Sequence, residues 1–222
     1  LDPSMQGSSR VFKYVTRLFA TGDAVLPADG MGAIPNQIAA SLPAQSIHYN
    51  QEAVKVEKGQ VTLADGSIIK APHIVVAIPQ PGCARLLNID TPVKSVAEAC
   101  VYFSADWHPP IKNPFLVLNG EGNGPVNNIA FPSLVAPTYA PPGKTLIAAV
   151  VLGDQFVFNQ DLVDLVRQQL TGWFGAVVKQ WEHLDTLTIH HALPGQQPPT
   201  SNPYQIPRPH AEGIRICGEH QG

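Results

Sequence analysis

The residues of this chain that could do chemistry are few. His190 and His191 stand side by side. Neighbours on a strand point to opposite faces, so the two cannot easily hold one metal. No carboxylate stands at a helpful spacing for a zinc site either, and the pair reads as one exposed and one packed imidazole. Cys83 follows Gly82 where a short helix should begin. A thiolate could be stabilised there, although a small buried thiol fits the same position. Cys83, Cys100 and Cys217 are odd in number, far apart and without a CxxC spacing. That argues against a disulfide framework or a zinc centre and for three reduced, mostly buried thiols. A GxSxG nucleophile turn is absent. Trp107, Trp173 and Trp181 read as core fillers rather than a ligand cage. These side chains alone form no self-contained catalytic set.

The elements that must position them can be read from periodicity. "RVFKYVTRLFA" (10–20) is a weak helix, and Ile34, Ile38 and Leu42 recur at a spacing of four in a second one. From Ser46 to Ala77 the period changes to two. "SIHYN", "AVKVEKG", "QVTLADG", "SIIKA" and "HIVVAIP" read as short strands, with turns at Lys58-Gly59 and Asp65-Gly66. "HIVVAIP" is apolar without alternation, which predicts a strand covered on both faces. Residues 80–88 read as a short helix, and "SVAEACVYFSAD" as a long strand. "FLVLN", "VNNIAFPS" and "KTLIAAVVLG" are further strands between Gly/Pro-rich loops. In "NQDLVDLVRQQLTGWFGAVV", Asn159 can cap a helix whose apolar face is Leu162, Val166, Leu170, Trp173 and Val177. "WEHLDTLTIHHALPG" reads as a strand, the proline-rich 196–209 as irregular chain, and "GIRIC" as a closing strand. The sum is an α+β or α/β chain with about ten strands and three or four helices.

Composition narrows the partners. Only 14% of the 222 residues are charged, against roughly 25% in an ordinary domain. A large share of the chain should therefore be buried or lie against something else. The net charge of −3 is scattered, so no basic stripe suits nucleic acid. The longest apolar runs are too short for a transmembrane segment, and the first residues lack the regions of a signal peptide. A cytoplasmic protein is expected.

Several segments, taken in order, carry a family resemblance. "LPADGMGAIPNQIAASL" resembles the Pro-x-x-Gly-Met-x-x-(Ile/Leu)-Pro segment of the flavin-containing amine oxidase superfamily, which includes protoporphyrinogen oxidases and phytoene desaturase-like enzymes. Asn50, Val54 and Val56, with Asp65-Gly66, resemble the β-meander that follows it. "APHIVVAIP" resembles the next central strand. "HHALPG" and then "ICGEHQG" resemble the closing Leu-Pro and Cys-Gly-acid segments.

The resemblance implies an α+β chain: an α/β remnant of an FAD-binding domain plus a mixed-sheet substrate domain. It implies a partial FAD-binding domain at 20–90, a substrate-binding portion at 91–195 and a return to the FAD-binding domain at 196–222. The cofactor it implies is FAD. Val54 matches a position whose backbone touches the adenine, and Ala77 and Pro79 the segment passing the adenosine and pyrophosphate. Gly218 lets the backbone approach the cofactor. Glu219 matches an acid that accepts a hydrogen bond from it, and His191, Leu193 and Pro194 border the flavin ring. The family's opening GxGxxG turn, which cradles the pyrophosphate, and its last helix have no counterpart here. The chain is therefore expected to be a fragment whose partner is the missing N-terminal FAD-binding segment. Alone it should be inactive and, with apolar surface uncovered, could form a homo-oligomer.

The expected reaction is hydride transfer to flavin from a C–N or C–C bond of an apolar or amine small-molecule substrate. Many amine oxidases carry a lysine on the strand entering the substrate domain. The matching strand here has Glu98, and no lysine until Lys94, so desaturase-like chemistry fits as well as amine oxidation. No catalytic base is assigned. The alternative is a non-catalytic module that uses the substrate domain as a ligand or partner surface.

Overall fold

The computed structural model describes residues 7–89, 95–111, 113, 116–194 and 210–218, the side chain of Pro194 excepted. The chain divides into two compact units. One is Leu1–Asp23, Pro43–Ser95 and Leu193–Gly222; the other is Ala24–Leu42 and Val96–Ala192.

The first unit opens with helix α1 (Ser9–Thr21). The Ser8 side chain accepts from Arg10 N and so satisfies one of the orphan N–H groups of the first turn. Strands β1 (Ala53–Glu57), β2 (Gln60–Leu63) and β3 (Ile68–Lys70) form the antiparallel meander, in that order. Both hairpin turns fall where the sequence puts them. Asp65 stabilises the second by accepting from Ser67 N at 2.9 Å and Ser67 Oγ at 2.6 Å. These bonds hold its carboxyl below the usual carboxylate range. "SIHYN" forms no strand, because the meander is complete without it and offers it no ladder. Strand β4 (Ile74–Val76) pairs in parallel with the last strand, β10 (Ile214–Ile216), and α3 (Gln80–Leu87) follows β4 directly. Val56, Ile74, Val76, Cys83, Leu86, Ile214 and Ile216 form this unit's core.

One expectation fails here. Ile74 and Val76 point into the core, but Val75 between them is 61% exposed, and Arg215 and Cys217 share its side of the pair. α3 and β1 cover one face of β4–β10; among the described residues nothing covers the other. Cys217 is exposed for the same reason and Cys100 is half-buried, so only Cys83 of the three thiols lies in a core.

The second unit is built on a five-stranded sheet. Its strands are β5 (Ser95–Ala105), β6 (Val117–Leu118), β7 (Val126–Ala130), β8 (Thr145–Leu152) and β9 (Glu182–Pro194), in the order β6-β7-β8-β5-β9. Helix α2 (Ala33–Ala40) belongs to this unit. Its leading loop is tied down where Tyr139 Oη donates to Pro27 O at 2.9 Å and Thr138 donates to Ala28 O. Two single turns, α4 (Pro132–Val135) and α5 (Asp154–Val157), stand where the sequence predicts no helix: the strand read in "VNNIAFPS" ends at Ala130 and gives way to α4, and α5 follows "KTLIAAVVLG" directly. α4 starts on a proline, whose fixed φ suits a first turn. Helix α6 (Leu162–Phe174) lays Leu162, Val166 and Leu170 on the sheet, with Trp173 and Val177 partly buried against the same core. Asn159 Oδ1 bonds Asp161 N at 2.9 Å, so it shapes the turn before the helix rather than capping it.

The core holds Ala97, Ala99, Val101, Phe103 and Ala105, the alternate residues of β5. Trp107, Trp181, Phe131 and Phe174 stack around its end, Trp107 and Trp181 with ring centroids 5.1 Å apart. The tryptophans are core fillers, as read. Arg167 Nη1 donates to Val178 O and Trp181 O at 2.8 and 2.9 Å, and its guanidinium lies 5.0 Å from the Phe103 centroid. It locks α6 to the chain that leads into β9.

Candidate functional site

β4 and β10 run in parallel, with Val76 beside Ile216, and Cys217 N donates to Val76 O at 3.0 Å. Ala77 and Pro79 leave the end of β4 next to Cys217 and Gly218 leaving β10. All four are exposed. Ligands of open α/β sheets bind outside the carboxyl ends of parallel strands, because the backbone there is no longer engaged in a ladder. Pro79 is also the N-cap of α3, so the strand gives way at once to the positive end of a helix. Gly218 has φ 154 and carries no side chain to obstruct an approaching group.

Val54 lies in the same unit. The β1–β2 register shifts between Ala53 and Lys55, so Val54 sits in a bulge that opposes no residue of β2, and it is 47% exposed. A bulge frees the backbone from the ladder, and this bulge falls on the residue whose backbone the resemblance assigns to adenine. His191 and Leu193 lie two apart near the end of β9, on one side of the strand, and both are exposed. Pro194 is the strand's last residue; its side chain and Glu219 lie outside the described residues. The structure therefore gathers Ala77, Pro79 and Gly218 at one edge. Val54 stands apart on the meander, and His191, Leu193 and Pro194 follow one another on β9.

Other candidates lose ground. His190 and His191 are both exposed, because β9 is the edge strand of its sheet. The packed member expected of the pair is instead a surface ring, stacked on Phe158 at 5.1 Å. Cys83 is 2% exposed and burial pushes its thiol up. That leaves it a core residue rather than an activated nucleophile.

A second polar group was not recognised in the sequence. On the side of β5 opposite the core stand Glu98, Cys100 and Tyr102, all half-buried. Burial pushes the Glu98 carboxyl up. The Cys100 thiol is raised by burial, offset in part by the tyrosine hydroxyl that donates to it, and raised again by the charge of Glu98. That hydrogen bond to Cys100, then burial, then the fields of Cys100, Glu98 and Asp185 leave the Tyr102 hydroxyl pushed up to about 12. The signal was legible in "VAEACVYFSA", where polar or polarisable residues alternate with small apolar ones over a strand.

The family described as flavin-containing amine oxidoreductase matches over residues 1–222. The chain belongs to it. Members of this flavoprotein family use FAD, and backbone free of the ladder, as at the carboxyl ends of β4 and β10, is of the kind that can contact such a cofactor. Among the described residues no GxGxxG turn joins a strand to a helix to cradle its pyrophosphate; Gly30 and Gly32 lead into α2, but no strand precedes them. Solved structures share the fold at low identity. An oxidoreductase from Methanosarcina mazei is 19% identical with a TM-score of 0.72, over 95% of this chain and 54% of its own. A putative protoporphyrinogen oxidase from Exiguobacterium is 18% identical with a TM-score of 0.66, over 86% and 46%. A reduced UDP-galactopyranose mutase is 12% identical with a TM-score of 0.65, over 85% and 47%. The chain thus spans about half the length of the solved structures it matches. A comparison with curated proteins finds no match.

Proposed function

We propose that this chain is the part of an FAD-dependent oxidoreductase that completes the cofactor site and holds the substrate. The observation that carries the reading is the parallel β4–β10 pair, whose carboxyl ends open side by side at Ala77, Pro79 and Gly218. Within a family of flavoproteins, backbone presented in this way suits a dinucleotide. Val54 and Pro79 would hold the adenosine side, Ala77 and Gly218 would let the backbone come close, and Glu219 would accept a hydrogen bond. His191, Leu193 and Pro194 would border the ring system. FAD, when bound, supplies a two-electron acceptor for a hydride from a C–N or C–C bond of an apolar or amine substrate.

The chain's own contribution is orientation and exclusion of water from the reacting bond. The first unit would be the partial FAD-binding domain and the second the substrate domain. The uncovered face of β4–β10, with Val75 and Arg215 on it, is where a preceding FAD-binding segment would dock.

The test is to produce the chain joined to the sequence that precedes it in its reading frame, beside the 222 residues alone. The longer polypeptide should purify with the visible absorbance of an oxidised flavin, bleached by anaerobic dithionite, and the shorter one without it. A longer polypeptide that neither retains nor takes up FAD refutes the reading.

A further inference from the structure

No residue of helix α1 is buried. At 3.6 residues per turn, Leu18, Val11, Val15, Phe19 and Phe12 fall on one arc of about 120°, and Lys13, Arg17 and Arg10 on the opposite side. Val11 and Tyr14 are half-buried, whereas Phe12, Val15, Leu18 and Phe19 are exposed, the two phenylalanines at 65% and 75%. Those two rings stand about two turns apart on the same side of the helix. Between Ser9 and Thr21 there is no acid, although the whole chain carries 17 acids against 14 bases. The helix is therefore a positive stripe, backed by an apolar one, on a net negative chain.

Helix α2 gives the contrast. It also leaves Ile34 and Ile38 exposed, but Ala33–Ala40 carries no charge, so its stripe needs only an apolar cover. The two faces of α1 complement a surface that is apolar within and negative at its rim, and a bilayer with anionic head groups is such a surface. At 13 residues the helix is too short to span it. A helix of this pattern lies in the interface plane, its apolar face about 5–10 Å into the boundary of head groups and acyl chains. The aliphatic stems of lysine and arginine let their charges reach back to the phosphates.

We propose that α1 docks the protein on the surface of a membrane that contains anionic lipid, with Phe12, Val15, Leu18 and Phe19 inserted and Lys13 and Arg17 engaging phosphate groups. This docking goes beyond the flavoprotein reading and does not depend on it.

The 222-residue chain and the polypeptide joined to its preceding sequence are each mixed with vesicles of phosphatidylcholine alone, and with vesicles of equal parts phosphatidylcholine and phosphatidylglycerol. Bound protein is read by flotation. Both polypeptides should float with the anionic vesicles and much less with the neutral ones, and added salt should weaken binding by screening the cations. Each cation at an anionic surface favours binding about fivefold, so Lys13→Gln with Arg17→Gln should weaken binding to the anionic vesicles about tenfold or more. Phe12→Ser with Phe19→Ser should abolish it. Leu118→Ser, which removes a comparably exposed apolar side chain from β6, should leave it unchanged. None of these side chains is buried, so the fold survives their replacement. Equal binding to neutral and anionic vesicles overturns the proposal, as do α1 variants that bind like the unmodified chain. So does a longer polypeptide that fails to float, the result expected if the preceding segment covers α1. A dimer, seen by light scattering, that Phe12→Ser with Phe19→Ser dissociates would mean a second copy covers the helix, and overturns it equally. Flavin retention is read without vesicles, so failure of the docking and failure of the flavoprotein reading are separately visible.

Discussion

Gly213→Ala tests whether the β4–β10 pair is held together as described. Gly213 has φ 78, and a Cβ built on it would lie 2.8 Å from Pro72 O, a backbone atom that cannot swing aside. Its own carbonyl accepts from Ile74 N at 2.8 Å, the first bond of the parallel pair. A left-handed backbone costs an alanine about 1–2 kcal/mol, and relieving the clash draws Gly213 O away from Ile74, losing about another 0.5–1.5 kcal/mol. A total near 2–3 kcal/mol raises the open fraction of this unit about 30- to 150-fold. Cys83 reports it, since it is 2% exposed in the core that β4 and β10 share with α3. In a Cys217→Ser background, which removes the exposed thiol, the labelling rate of Cys83 by an aromatic disulfide should rise by that factor. Cys100, in the other unit, is the internal control and should keep its rate. A Cys83 rate that Gly213→Ala leaves unchanged refutes the account of how the cofactor edge is built.

Two further outcomes are expected. Gly172 lies inside α6 with open space where a Cβ would go, so Gly172→Ala should stabilise the second unit by about 0.5–1 kcal/mol; a tryptophan-fluorescence urea midpoint that falls contradicts this. Burial raises the Glu98 carboxyl in the folded chain, so its ionisation is unfavourable to folding, and stability is lost as pH rises from the unfolded carboxylate range through the folded value. Glu98→Gln should therefore raise Tm at neutral pH by an increment that vanishes in acid, and an increment independent of pH would refute the cause.

Much of the fold was legible because local chemistry dictates it. The Asp65-Gly66 and Lys58-Gly59 turns, the alternation along β5 and the apolar stripe of α6 each carry a period or a backbone requirement that short-range physics enforces. "SIHYN" misled because its alternation is that of a strand, while strand formation needs a partner edge that the three-stranded meander does not offer it. α5 was missed because a single turn is too short to show a period. The Asn159 cap was misplaced by two residues for a similar reason. An Asx side chain can organise either a cap or the turn before it, and only the geometry of Asp161 separates them.

The two candidate sites were legible to very different degrees, and the difference is chemical. The β4–β10 edge, as proposed, would work through backbone, and Ala77, Pro79 and Gly218 bring no titratable or nucleophilic side chain for a reader of residue types to notice. Only the ordered resemblance of whole segments could point there. "HIVVAIP" did hold a clue of another kind. Its unbroken apolar run encodes cover on two faces, yet one face, at Val75, is bare among the described residues. Burying a valine side chain fully contributes about 1.5–3 kcal/mol, which the docking segment proposed above would gain at Val75. The β5 face is the reverse case. Its chemistry resides in side chains, Glu98 among them, and strand alternation alone is enough to set the three polar residues on one side. The sequence pattern carries it once the small apolar residues between them are weighed as the core face.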